Sequence, residues 1–175
     1  YKKFFKSKVK YDKPYILVTI HRAENTDNNK SLENIIFILN KLSSDYLIIF
    51  AIHPRTKKIL QKNNISTAGL KLIEPQSYIN IIGLILNSKI LITDSGGLQK
   101  EAYFAKIPCV TIRRQTEWIE TLESGWNRLS NVNSIKNLTK KIQEAISFNR
   151  NNKIKSHYGN GKTSEKILDC IVKSL

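Results

Sequence analysis

Short apolar runs of strand length alternate along this chain with segments whose apolar residues recur at helical spacing. Residues 15–20, 46–52, 70–73, 89–93, 108–112 and 127–129 read as strands, and their nearly unbroken hydrophobicity predicts burial on both faces. Residues 31–42 read as a helix with Ser31 as N-cap and Leu32, Ile35, Ile36 and Leu39 on its core face. Further helices are predicted over 56–62, 78–87, 97–105, 117–123, 134–147 and 164–175, with Thr116 capping the 117–123 helix and Gly125 ending it. Residues 149–161 read as a stretch of low order. Strands alternating with helices predict an α/β fold, a parallel sheet covered by helices on both faces.

A chain of 175 residues is long enough for one core, so a single domain spanning residues 1–175 is expected. It starts at Tyr1 and has no methionine, so it is expected to be a piece of a longer polypeptide. The formal charge of +15 suggests an anionic partner. Lysines are spread along the whole chain, however, with no basic run interleaved with aromatics, so nucleic acid is not the expected partner. No apolar run nears the roughly 20 residues of a bilayer span. Cys109 in an apolar strand and Cys170 on the last helix lack metal-ligand spacing, and both are expected to be buried, reduced thiols, which suits the cytoplasm. No metal or cofactor is expected.

In a doubly wound sheet ligands bind beyond the carboxyl ends of the strands, so the residues after each strand carry the chemistry. Here they are His21-Arg22-Ala23-Glu24-Asn25, His53-Pro54-Arg55, Asp94-Ser95-Gly96-Gly97 and Arg113-Arg114-Gln115-Thr116-Glu117. The run 92–101 is the most specific of them. A strand passes into two glycines and then into helix formers, so ligand can approach the backbone and the first helical amides stay unpaired. Those amides and the positive helix end suit a phosphate. Glu101 lies about one turn beyond Gly97, where a carboxylate accepts hydrogen bonds from sugar hydroxyls. Arginine forks and imidazoles on the same rim suit a diphosphate.

Taken together, these segments resemble the C-terminal domain of the non-hydrolysing UDP-N-acetylglucosamine 2-epimerases, from about Tyr15 through the 158–162 segment. His21-Arg22-Ala23-Glu24-Asn25 is similar to the family's HR-x-EN element, His53-Pro54 to its HP turn, and Glu74-Pro75 with Tyr78 to its EP-x-x-Y element. Residues 93–101 resemble TDSGG-x-x-E, and Arg113 with Thr116 and Glu117 resembles R-x-x-TE. The resemblance implies a Rossmann-like domain that is the C-terminal half of a glycosyltransferase B-type, two-domain architecture whose N-terminal domain is missing. It implies UDP and a UDP-N-acetylhexosamine as ligands, and a homodimer when full-length. Ser95, Gly96 and Gly97 are then assigned to the diphosphate, Glu101 to the ribose, and Arg113 to the nucleotide cleft. His21 is assigned to catalysis beside the pyrophosphate, and Arg22 and His53 to a second, activating substrate molecule.

The implied reaction interconverts UDP-N-acetylglucosamine and UDP-N-acetylmannosamine by elimination and re-addition of UDP. Its acid/base carboxylates are expected mainly in the other domain, so these residues alone are expected to be inactive. Two departures stand out. Ile81 occupies a position where many relatives carry an aromatic residue that packs on uracil, which predicts a weaker uracil contact. Trp118 and Ile119 replace an Arg-Pro pair, which bears on activation. A B-type glycosyltransferase domain grips UDP similarly and is the alternative; the HR-x-EN and HP elements argue against it. A nucleic-acid-binding module is favoured only by the charge.

Overall fold

The computed structural model describes residues 11, 13–155 and 157–174. Among them one sheet runs in the order β3-β2-β1-β4-β5-β6, with every neighbouring pair parallel. The strands are β1 (Tyr15–Thr19), β2 (Leu47–Ala51), β3 (Leu70–Ile73), β4 (Ile90–Thr93), β5 (Cys109–Ile112) and β6 (Asn127–Ser130). This is the Rossmann-like order, with the direction of winding reversing between β1 and β4. Register places Thr19 beside Thr93, so the two strands end level and open a crevice at their carboxyl ends.

Alternation along each strand divides the core into two layers. Ile16, Val18, Ile48, Phe50, Ile90, Ile92, Val110 and Ile112 pack with α2 (Asn29–Leu42), α3 (Pro54–Lys62) and α7 (Ile135–Ile146). Tyr15, Leu17, Ile49, Leu91 and Cys109 face α4 (Tyr78–Asn87) and α5 (Gly96–Ala105). The remaining helices are α1 (Ala23–Thr26), α6 (Ile119–Glu123) and α8 (Thr163–Ser174). The α/β expectation therefore holds, as do all six strands to within a residue or two at each end. Burial on both faces holds for β1, β4 and β5, whereas the edge strand β3 is only partly covered.

Helix starts differ from expectation where a side chain one turn earlier competes for the cap. Asn28, not Ser31, caps α2: its Oδ1 accepts from the Ser31 amide at 3.1 Å. His53 caps α3, with Nδ1 accepting from the Arg55 amide and Pro54 in the first turn, where its missing N–H costs nothing. Thr116 does not cap the following helix; Trp118 stands at the α6 N-cap, and Thr116 Oγ1 accepts from the Trp118 amide instead. The short α1 was not anticipated. Gly125 ends α6 at φ +72, as expected.

Of the cysteines, Cys109 is buried, which drives its thiol up to about 12, but Cys170 is exposed on α8. The expectation of two buried thiols fails because no residue of α8 is buried. Its Ile167, Leu168, Ile171 and Val172 are 55%, 62%, 54% and 63% exposed. The predicted end of this helix at Leu175 lies outside the described residues, as does Ser156 of the low-order stretch. No described helix is long and apolar enough to cross a membrane.

One backbone position offers a test of the local reading. Lys106 ends α5 in the left-handed region, φ 57 and ψ 44, where a Cβ is strained. Lys106→Gly is expected to raise the unfolding free energy by about 0.5–1 kcal/mol, the strain relieved less the extra chain entropy of glycine. Urea denaturation at constant m-value checks it; a loss of stability counts against the strain argument.

Candidate active site at the strand-order reversal

Asp94, wholly buried immediately after β4, organises the crevice between β1 and β4. Its carboxylate accepts from the His21 amide at 3.2 and 3.0 Å, from the Arg22 amide at 2.9 Å and from Asn25 Nδ2 at 3.0 Å. Asn25 Nδ2 also donates to the Ile112 carbonyl, so one side chain ties the ends of β4 and β5 to α1. His21 Nδ1 stands 3.2 Å from Asp94 Oδ1, which places the ring proton on Nδ1 and leaves Nε2 for a ligand. The His21 side chain is 43% exposed, as a group meeting a ligand must be.

Beside it lies the start of α5. Ser95 is the N-cap residue, yet no side chain caps the helix; the Ser95 amide donates back to Thr93 Oγ1 at 3.0 Å. The helix begins at Gly96, one residue earlier than expected, and neither glycine has positive φ. Space, not backbone freedom, distinguishes them. A Cβ on Gly97 would meet nothing within 4 Å, whereas one on Gly96 would lie 2.4 Å from Glu117 Oε1. The approach to the helix start is therefore open at Gly97, and Glu117 flanks it at Gly96.

Glu117 is held there by Arg113, whose Nη1 donates to Oε2 at 2.8 Å. Its carboxyl lies below the usual range, first through its own backbone amide and then through Arg113 and Arg22. Arg113 thus reaches the rim as the partner of Glu117. The Trp118 indole donates to the Gly96 carbonyl at 2.9 Å, fixing the same corner. Beneath it, buried Gln99 accepts from Thr116 Oγ1 and Asn127 Nδ2 and donates to the Ser95 carbonyl. This internal network locks the 113–118 loop to α5.

On the other side of the α5 start, Tyr78 Oη donates to Glu101 Oε1 at 2.9 Å, joining two of the sequence elements. Partial burial raises the Glu101 carboxyl above its ordinary value. Ile81, in contrast, is only 8% exposed, and its side chain is packed into the α4/α5 core layer. His53 lies near His21, with ring centroids 6.3 Å apart. Arg55 pairs with Asp27 and braces the His53 turn against α1. Arg22 lines a cleft with Arg113 and Arg114.

The structure thus brings His21 and His53 together, sets Glu101 against Tyr78 of α4, and gathers Arg22, Arg113 and Arg114 around one cleft. Sequence reasoning treated Asp94 as one rim residue among several and did not single out Gln99 or Arg114. A buried carboxylate after a strand, followed by a two-glycine helix start, was the available signal for Asp94. No group of acidic, histidine and cysteine side chains among the described residues could hold a metal ion.

Comparison with known proteins agrees with this geometry. Residues 1–172 match the family model described as UDP-N-acetylglucosamine 2-epimerase. A UDP-N-acetylglucosamine 2-epimerase homolog of Methanococcus maripaludis is 46% identical over 91% of this chain and 44% of its own length. The UDP-N-acetylglucosamine 2-epimerase of Methanocaldococcus jannaschii is 42% identical over 94% of this chain and 46% of its own. A crystal structure of the Methanocaldococcus jannaschii UDP-GlcNAc 2-epimerase in complex with UDP-GlcNAc and UDP superposes with TM-score 0.80 at 39% identity, covering 98% of this chain and 48% of that one. The chain spans about half the length of the relatives it matches.

The Asp94 hub yields a direct prediction. Asp94→Asn turns one face of a four-donor acceptor into a donor and leaves buried N–H groups without partners. Urea unfolding is expected to show a loss of about 3 kcal/mol. Asn25→Ala, which removes one donor and frees the Ile112 carbonyl, should cost about 1–2 kcal/mol. A loss below about 1 kcal/mol for Asp94→Asn would show that the carboxylate does not hold the rim.

Proposed function

The chain belongs to the UDP-N-acetylglucosamine 2-epimerase family, and from that premise we propose that it is the UDP-gripping, C-terminal domain of a two-domain epimerase. The full-length enzyme, a cytoplasmic homodimer in this reading, interconverts UDP-N-acetylglucosamine and UDP-N-acetylmannosamine. The observation that carries the reading is the uncapped α5 start at the reversal of strand order, open at Gly97. Its amides and dipole suit a diphosphate. The exposed apolar stripe of α8 favours a further domain, since a soluble surface rarely leaves four such residues together.

In this reading the diphosphate lies on Ser95, Gly96 and Gly97, the ribose hydroxyls donate to Glu101, and Arg113 supports the cleft. As UDP departs, charge grows on its bridging oxygen, and fixed amides stabilise that charge more than they stabilise substrate. His21, held by Asp94, directs Nε2 chemistry at the pyrophosphate and the reacting sugar. The base that removes the sugar proton comes from the other domain. Arg22 and His53 serve a second substrate molecule.

Calorimetry with UDP tests the grip. The 175 residues are expected to bind UDP weakly and to lose about a further tenfold in affinity with Glu101→Ala. Gly97→Val is expected to remain folded by circular dichroism, because its side chain enters open space, yet to lose UDP; a folded variant with normal affinity would reject the cradle. Glu101 has to be ionised to accept both ribose hydroxyls, and its carboxyl is raised by burial. Affinity should therefore begin to fall at a pH above the ordinary glutamate range as acid is added, and Glu101→Gln should remove that part of the decline.

Catalysis is tested in the full-length protein by proton NMR of the sugar in heavy water. His21→Ala is expected to lower kcat/KM for epimerisation by about 10²–10⁴. The 175 residues alone should exchange no C2 proton, and turnover by them would refute the division of labour between two domains.

A further inference from the structure

Two clefts, of about 330 and 500 Å³, open on the rim and share Glu24, Arg113 and Arg114. Each falls within the range of about 300–1,000 Å³ usual for small-molecule sites. Joined, they form a trough from Arg22 and Gln115 at one end to Asn28, Asn131 and Asn133 at the other. Three guanidiniums face it, but their situations differ. Arg113 is spent on Glu117 at 2.8 Å and is 12% exposed, and Arg22 stands within electrostatic reach of the same carboxylate. Arg114 is exposed and, among the described residues, takes part in no hydrogen bond or ion pair.

The geometry points to an anionic sugar as the trough's ligand, with Arg114 taking its carboxylate or phosphate. The guanidinium fork matches two oxygens of either group, while Glu24 and the asparagine amides offer acceptors and donors for hydroxyls and an acetamido group. This rests on the reading of the Gly97 opening as the diphosphate site. Arg113 connects the two places: its Nη1 comes within 3.6 Å of a Cβ built on Gly96, and it lines both clefts, so in this proposal a nucleotide sugar with its ribose at Glu101 and its diphosphate at Gly97 sets its hexose in the trough. The anion has two sources: a carboxylate at C6 of that same hexose, or a separate sugar phosphate lying beside it. Arg114 is then the residue that sets preference for acidic over neutral sugars.

The test measures dissociation constants by calorimetry on the full-length protein, wild type, Arg114→Gln and Arg114→Lys. The ligands are UDP-N-acetylglucosaminuronic acid, UDP-N-acetylglucosamine and, with UDP saturating, N-acetylglucosamine 6-phosphate. Arg114→Gln is expected to weaken an acidic ligand at least about tenfold more than it weakens UDP-N-acetylglucosamine. Arg114→Lys, which keeps the charge without the fork, should fall between. A selective loss for the uronate alone identifies the substrate's own carboxylate, and one for the sugar phosphate alone identifies a separate ligand. Equal changes for acidic and neutral ligands, or none, would overturn the proposal. Failure of UDP itself to bind would sink the nucleotide reading instead, and the sugar phosphate measured without UDP would still decide the fate of the trough.

Discussion

A buried charge must be met by donors or it destabilises the fold, and the rim of this molecule is arranged around one such charge. Asp94 has no exposed surface, and its four donors all come from residues 21–25. The backbone amides of His21 and Arg22 have no strand partner once β1 ends, so the carboxylate satisfies them and stops the chain from fraying into solvent. Through Asn25 the same charge reaches the carbonyl that ends β5. Three strand ends are thereby registered to one another at the place where the sheet opens. The orientation of the His21 ring follows from the same constraint, since the carboxylate that holds its amide also holds Nδ1.

The α5 start shows a balance of opposed charges. Uncapped amides and a helix dipole worth about 0.3–1 kcal/mol for a nearby charge favour an anion. Glu117, with an oxygen at the Cβ position of Gly96, opposes it. Arg113 decides the sign locally, because a charge-assisted contact at 2.8 Å directs the carboxylate's density onto the guanidinium. Gly96 then leaves room for the Glu117 carboxylate where it stands, and Gly97 leaves the approach clear. Two adjacent glycines that look equivalent in sequence have separate physical reasons.

Much of the fold was legible because its signals are local and strong. Apolar strand runs bounded by polar residues located all six described strands, and the run through Gly96 and Gly97 located the uncapped start of α5 to within a residue. Caps were misread where two candidates stood within one turn: both Asn28 and Ser31 can accept a first-turn amide, and sequence does not say which has the extended backbone a cap requires. The inward turn of Ile81 was hidden for another reason. A helix as apolar as α4 gives little contrast between its faces, and only packing within the core layer it shares with β1, β4 and α5 fixes its rotation. Cys170 was misplaced because amphipathic spacing in α8 announces a buried face without saying what buries it. Gln99 and Trp118 were illegible because their partners lie 17 to 28 residues away, and no periodicity encodes a contact across loops.

Those distant contacts also determine how the two parts of the rim communicate. Gln99 sits on α5, three residues after Gly96, and accepts from the hydroxyl of Thr116 in the loop that carries Arg113, Arg114 and Glu117. Trp118 closes the circuit from that loop to the Gly96 carbonyl. A ligand that draws Arg113 toward itself loosens Glu117, and a loosened Glu117 alters the anion field at Gly97. The converse follows by reciprocity: an anion placed at the α5 start would repel the Glu117 carboxylate and strengthen its claim on Arg113 and Arg22. Arg114 lies outside this exchange, which leaves its guanidinium for whatever occupies the trough while its neighbours are committed. The loop therefore divides its charges, one arginine neutralising the carboxylate beside the cradle and the next facing the adjoining cleft, and the buried Gln99–Asn127–Thr121 network keeps both in register with the sheet.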